Sequence, residues 1–243
     1  MKSCIVSLKR NLAALALGGA ICSPLHAASI AIPNSSFESP STGFVSPLID
    51  SWQKIPKPAY FDESSGYLWF QTAGVFLDTK PYANRDALQC GYMLSFPQVT
   101  LFQDYSTSPA FNATYGVGQS YTFTLGVFGN NLTANSSLQL SLFYRDAGNN
   151  MVTIGSPTTI AYDSAVFPPA GPFNLVDYSV TIPGVQAADA WAGKNIGVMV
   201  QVAGSDFTGY WDIDKARLTS VPEPSLASLV ALGVCGLIVR RRI

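Results

Sequence analysis

Apolar and polar residues alternate along most of the middle of the chain, and this period of two constrains the fold more than any other feature. Tyr121, Phe123, Leu125 and Val127 fall on one side of a ribbon, with Thr122, Thr124 and Gly126 on the other. Leu138, Leu140, Leu142 and Tyr144 repeat the pattern, as do Val176, Tyr178, Val180 and Ile182, and again Ile196, Val198, Val200 and Val202. Successive side chains of a strand point to opposite faces, so such alternation marks half-buried strands. Turn-forming pairs such as Gly129-Asn130, Gly148-Asn149 and Pro168-Pro169 separate the runs. No stretch of ten or more residues carries a helical period, and residues 186–192 have room for one short turn. The expectation is an all-β domain of about eight to ten strands in two packed antiparallel sheets, a β-sandwich.

Residues 49–92 are less regular and rich in rings: Trp52, Tyr60, Phe61, Tyr67, Trp69, Phe70, Tyr82 and Tyr92. Strands are expected near residues 67–70, 75–77 and 88–96, joined by loops at the rim of the sandwich, where binding sites gather. Aromatic faces stack on the apolar faces of sugars, so Tyr67, Trp69 and Tyr82 are candidate ligand-binding residues. Trp52 and Trp211 are assigned to the core.

The two ends differ in composition from the body. Lys2, Lys9 and Arg10 precede an apolar run at residues 12–21 and then the small residues Ala27 and Ala28. This is the order of a secretory signal peptide, cleaved after Ala27 or Ala28. Its apolar run is half the roughly 20 residues that span a bilayer. The other end reads Val221-Pro222-Glu223-Pro224-Ser225, then an uncharged apolar stretch at residues 226–239, then Arg240, Arg241, Arg242 and Ile243. At about 1.5 Å per residue that stretch reaches roughly 21 Å. Flanking residues extend it toward a transmembrane helix held on the cytoplasmic side by its arginines. The chain thus divides into a leader (1–28), a body (29–220) and a tail (221–243).

The tail resembles the PEP-CTERM sorting signal of exported bacterial proteins, through Pro222-Glu223-Pro224, the apolar run and the arginine cluster. The resemblance implies an exosortase-type transpeptidase as partner and a transient anchor in the inner membrane. It also implies delivery to the cell surface or to the exopolysaccharide matrix of a biofilm.

Charge and chemistry look different once the ends are set aside. The whole chain carries 14 basic and 15 acidic residues, for a net charge of −1. Six of the basic residues lie in the two ends. The body holds eight basic residues against fourteen acids, a net charge of −6. No basic patch is present to meet a phosphate backbone, which excludes nucleic acid as a partner. The one histidine, His26, belongs to the leader, so the body has no Ser-His-Asp triad, no Cys-His dyad and no imidazole metal site. Of four cysteines only Cys90 lies in the body, where no intramolecular disulfide can form, and it is expected as a small buried residue. Glu38 and Glu63 are the body's glutamates, and no nucleophile elbow or phosphate loop occurs. Binding or a structural role in the matrix is favoured over a glycan-active enzyme, with extracellular polysaccharide as the expected partner.

The body opens with Ile32-Pro33-Asn34-Ser35-Ser36-Phe37-Glu38 and closes with Tyr210-Trp211-Asp212-Ile213-Asp214-Lys215-Ala216-Arg217-Leu218. These ends resemble the first and last strands of galactose-binding-like jelly rolls, a group that includes many carbohydrate-binding modules. Ser35 replaces a glycine of that pattern, and Lys215-Ala216 replace an Asn-Val pair. In period-two parity Asp214 goes with Leu218, so a core-facing Leu218 implies an inward-pointing Asp214, which then needs a partner. The resemblance implies that Glu38 and Asp214 share a structural calcium ion, a cation that takes carboxylate and carbonyl oxygens.

Overall fold

The structure is a computed structural model that describes residues 26–223 except 78, 80, 81, 205 and 206. The expected leader (largely residues 1–25) and the apolar and arginine parts of the tail (residues 224–243) lie outside the described residues. Thirteen strands are described: β1 (Ala28–Ile30), β2 (Val45–Ser46), β3 (Gln53–Lys54), β4 (Ala73–Leu77), β5 (Gln89–Leu94), β6 (Thr100–Gln103) and β7 (Gln119–Asn130). They continue with β8 (Ser137–Arg145), β9 (Met151–Thr153), β10 (Thr158–Ala161), β11 (Val176–Ile182), β12 (Gly197–Gly204) and β13 (Tyr210–Pro222).

They form two antiparallel sheets. One runs β11-β7-β13-β5-β4-β2, with β1 also paired to β13; the other runs β10-β8-β12-β6-β3, with β9 paired to β8. Leu125, Val127, Val75, Trp211 and Ile213 from the first sheet meet Leu101, Leu140, Leu142, Val198 and Val200 from the second, all fully buried. Leu125, Val127, Leu140, Leu142, Val198 and Val200 are alternate residues of the sequence pattern, and each large apolar side chain removed from water contributes about 1.5–3 kcal/mol. Trp52 and Trp211 lie in this core, and Cys90 is buried. Among the described residues, no helix is long and apolar enough to cross a membrane.

The irregular segment departs from expectation at residues 67–70, which are not a strand. A 3-10 turn occupies Trp69–Gln71, and β4 starts after it, at Ala73. Polar groups from outside the segment favour the turn. The Trp69 amide donates to Glu63 Oε1 at 2.8 Å, and the Trp69 indole donates to the Ile55 carbonyl at 2.9 Å. The Lys54 ammonium donates to the carbonyls of Pro47 and Ala73, each at 2.9 Å, and of Phe70. Burial pulls the Lys54 pKa down to about 8, so at neutral pH this group is still largely a cation holding three carbonyls together.

Strand β13 contains the second departure. Asp214 lies opposite Gly126 on β7 and Arg217 opposite Thr124, so Lys215 and Ala216 together face one residue of the partner strand. This is a β-bulge, with Lys215 at a positive φ of 58°. The bulge reverses the parity of everything beyond it. Leu218 faces the core beside Phe123, as expected. Asp214 shares the outer face of the sheet with Gly126 and Asp177, and does not point into the sandwich. It is nevertheless completely buried, because the β4–β5 connection folds over it.

Candidate functional site

Two carboxylates hold the entrance to β5. Asp214 accepts the Asp86 amide on Oδ2 and the Lys215 amide on Oδ1, both at 2.7 Å. Glu38 accepts the amides of Leu88 and Gln89 on Oε1, at 2.9 and 2.6 Å. The opening segment and the closing strand thus grip one short stretch of chain between them. Burial pushes the Asp214 pKa up to about 7; the amides of Asp86 and Lys215 pull it down, and the nearby charges of Asp86 and Glu38 push it further up. The site disfavours a bare negative charge, and a hard cation placed there would relieve that repulsion. Among the described residues, however, no group of three or more histidine, cysteine, aspartate or glutamate side chains converges to hold a metal ion.

The three candidate ligand-stacking rings are separated. Tyr82 is buried outside the first sheet, in an aromatic cluster with Phe128 (centroids 5.4 Å apart) and Phe173 (6.2 Å), and its hydroxyl bonds the Asp212 carboxylate. Trp69 is buried edge-on to Phe61, 4.9 Å between centroids. Neither ring has a face open to a sugar, which corrects the expectation for both. Their loop positions looked accessible, but the loops fold back onto the sandwich and use the rings as packing. Glu63 pairs with Lys57 at 3.1 Å and also accepts the Trp69 amide.

Tyr67 remains about half exposed, at 53%. Its ring meets Phe96 at 5.2 Å, and Phe207 meets Phe96 from another direction at 5.6 Å. Tyr60, Phe61, Asp62, Tyr67, Phe96 and Phe207 line a hollow of about 390 Å³ at the end of the sandwich. Tyr60 and Phe207 are also exposed, and the Tyr60 hydroxyl donates to the Pro97 carbonyl. Asp62 is the hollow's acid. It accepts the Ser64 amide at 2.8 Å and the Ser64 hydroxyl at 2.7 Å, and those bonds hold its carboxyl below the ordinary range. Phe207 was not among the candidates legible in the sequence. There it is a lone ring with no period-two partner, and no local pattern marks it as a site residue.

A second hollow of about 400 Å³ lies on the outer face of the first sheet. Phe44, Val45, Phe76, Tyr92, Leu94 and Tyr210 are among its lining residues. The Tyr92 hydroxyl donates to the Gln71 carbonyl at 3.1 Å, and burial pushes its pKa up to about 12. The two hollows flank one strand end, since Leu94 lines the second and Phe96, two residues on, lines the first.

This architecture defines a class, the antiparallel two-sheet β-sandwich in which successive strands from β5 to β8 alternate between sheets. A cyclase from Fischerella sp. TAU has the same fold, with a TM-score of 0.54, 16% identity, and 82% of this chain covering all of that one. A structure of a Fischerella sp. TAU cyclase in complex with 4-(1H-indol-3-yl)butan-2-one aligns at a TM-score of 0.53 with 17% identity over 82% of this chain and all of that one. The carbohydrate-binding module TmCBM61, solved with β-1,4-galactotriose, aligns more loosely, at a TM-score of 0.43 and 14% identity over 81% of this chain and 98% of that one. No protein-family model matches the chain, and no curated protein matches it in sequence.

Proposed function

We propose that this is an exported β-sandwich protein of the cell surface or extracellular matrix that holds polysaccharide in the hollow of Tyr60, Tyr67 and Phe207. The observation that carries the reading is the partial exposure of those three rings around one acid. Large apolar side chains are ordinarily withdrawn from water, and an aromatic recess with a polar group in it suits a ligand with both apolar and hydroxyl surfaces. A sugar ring has both. Its C–H faces would stack on Tyr67 and Phe207, and its hydroxyls would donate to Asp62. We read the site as binding rather than catalytic, because Asp62 is the hollow's one lining acid and no second carboxylate stands beside it among the lining residues. The likeness to cyclases reaches the fold alone.

Export and sorting form part of the same proposal. The signal-peptide order at residues 1–28 and the tripartite tail support passage through the inner membrane, with an exosortase-type transpeptidase acting on the tail. Calcium is proposed as well: Glu38 and Asp214 would hold it by carboxylate oxygens, and it would neutralise charge at a buried site. A rise in melting temperature with millimolar calcium over the chelator-treated protein is the expected readout for that part.

Affinity electrophoresis of the body through gels containing the producer's exopolysaccharide tests the binding. Retardation is expected, and Tyr67→Ala or Phe207→Ala should weaken it about tenfold, the effect of losing roughly 1.4 kcal/mol. Free migration of the wild-type protein through every polysaccharide tried would leave the alternative, a structural matrix component without a glycan ligand.

A further inference from the structure

The expected boundary between body and tail, at residue 221, cuts through a strand. β13 continues through Val221 and Pro222, which pair with Ser120 and Gln119 of β7. Pro222 is the last residue of the strand, so its missing amide costs no interior ladder bond. Glu223 then docks on the body. Its amide donates to the Gly118 carbonyl at 2.7 Å, and its carboxylate accepts the Ser120 hydroxyl. Its side chain lies over Gly184, where an added Cβ would meet the Glu223 Cγ at 2.6 Å. The seat is anchored from beneath by Gly118 and Val185, which exchange bonds with the same turn: Gly118 N to Val185 O at 2.8 Å and Val185 N to Gln119 O at 2.9 Å. The other end of the body is close by, since Ala28 of β1 pairs with Ser220, two residues before Pro222. Leader and tail therefore join the body along the same strand pair.

We propose that the folded body itself controls access to the sorting tripeptide: Pro222 and Glu223 are held as the end of β13, and an enzyme acting at the motif must first lift Glu223 from its seat on Gly118, Ser120 and Gly184. The inference rests on the sorting proposal above. A protease or transpeptidase reads its substrate as an extended segment free on both sides. A segment whose amide and carboxylate are already bonded to the body cannot be bound that way. Processing is then slowed in a folded body relative to one whose seat is open.

Two measurements on the full-length chain test this. Hydrogen exchange at the Glu223 amide reads the seat alone. The amide is expected to be protected in the wild type and to exchange at least tenfold faster in Gly184→Leu, with protection at Ile213 unchanged as a check on folding. Ser120→Ala provides a milder variant in which no atom is added. Conversion of precursor to processed form in an exosortase-bearing host reads the consequence, and both variants should convert about threefold faster than the wild type. Unprotected exchange at Glu223 in the wild type overturns the seat. Protected exchange with equal conversion rates overturns the control of processing. Protected exchange with no conversion of any form overturns the sorting reading and the control with it, and leaves the seat standing as plain structure.

Discussion

The two halves of β13 are one continuous strand in one sheet, yet they do opposite things with their side chains. Before the bulge, Trp211 and Ile213 fill the core, and the acids Asp212 and Asp214 turn outward under the β4–β5 connection. After it, Leu218 fills the core and the outward residues are Arg217, which is exposed, and Thr219, which is half-buried. One extra residue separates a half whose outer face is roofed by the β4–β5 connection from a half whose outer face is more open. Parity along a strand therefore predicts direction only as far as the next bulge, and burial on the outer face depends on what the loops bring over it.

Removing the bulge should give the largest effect. Deletion of Ala216 forces either Asp214 into the sandwich core without partners or Leu218 out of it. The expected cost is at least about 5 kcal/mol, comparable with the whole stability of a domain, so little folded protein should remain by circular dichroism. A deletion variant that melts near the wild type would show that the two halves are not separated in this way.

The roofed half should also respond to pH. Asp214 has an ordinary pKa of 3.8 and is pushed up to about 7 in the fold. Between those values the folded state keeps a proton that the unfolded chain has released. This contribution is full below about pH 4 and is lost as pH rises through 7. Its size is up to roughly 4 kcal/mol. In chelator-treated protein, denaturant titrations from pH 4 to 8 should show it, and Asp214→Asn should lack that component. An identical slope in wild type and variant would place the titrating group elsewhere.

The open half should be tolerant. Arg217 pairs with Asp177 at 2.7 Å, but both side chains are more than 40% exposed. Arg217→Ala should cost under about 1 kcal/mol, less still at high salt, as read from denaturation midpoints. A loss of several kcal/mol would mean that this half is not plain surface.

How far each part was legible in the sequence follows from the range of the interactions involved. The runs at residues 121–127, 138–144, 176–182 and 196–202 became β7, β8, β11 and β12, because alternation is a local signal and burial of one sheet face enforces it. The burial of Trp52, Trp211 and Cys90 followed from the same apolar logic. Residues 67–70 failed as a strand because Glu63, Lys54 and Ile55 supply bonds to a turn from outside the segment. Tyr82 and Trp69 failed as open rings for a related reason: a ring in a loop carries no mark of whether the loop folds inward. Phe207 became visible as a site residue only beside Phe96 and Tyr67, which come from distant parts of the chain.

The sequence by itself determined the strand-rich class and the acidic, histidine-free composition of residues 29–220, because composition and period are properties of neighbours along the chain. The tertiary structure decided which acids are buried, which rings stay open and how far β13 runs. Each of these depends on contacts between residues far apart in sequence: Asp86 with Asp214, Phe96 with Phe207, Ser120 with Glu223. No local pattern encodes such pairs, since only the packing of the two sheets and their loops brings them within reach.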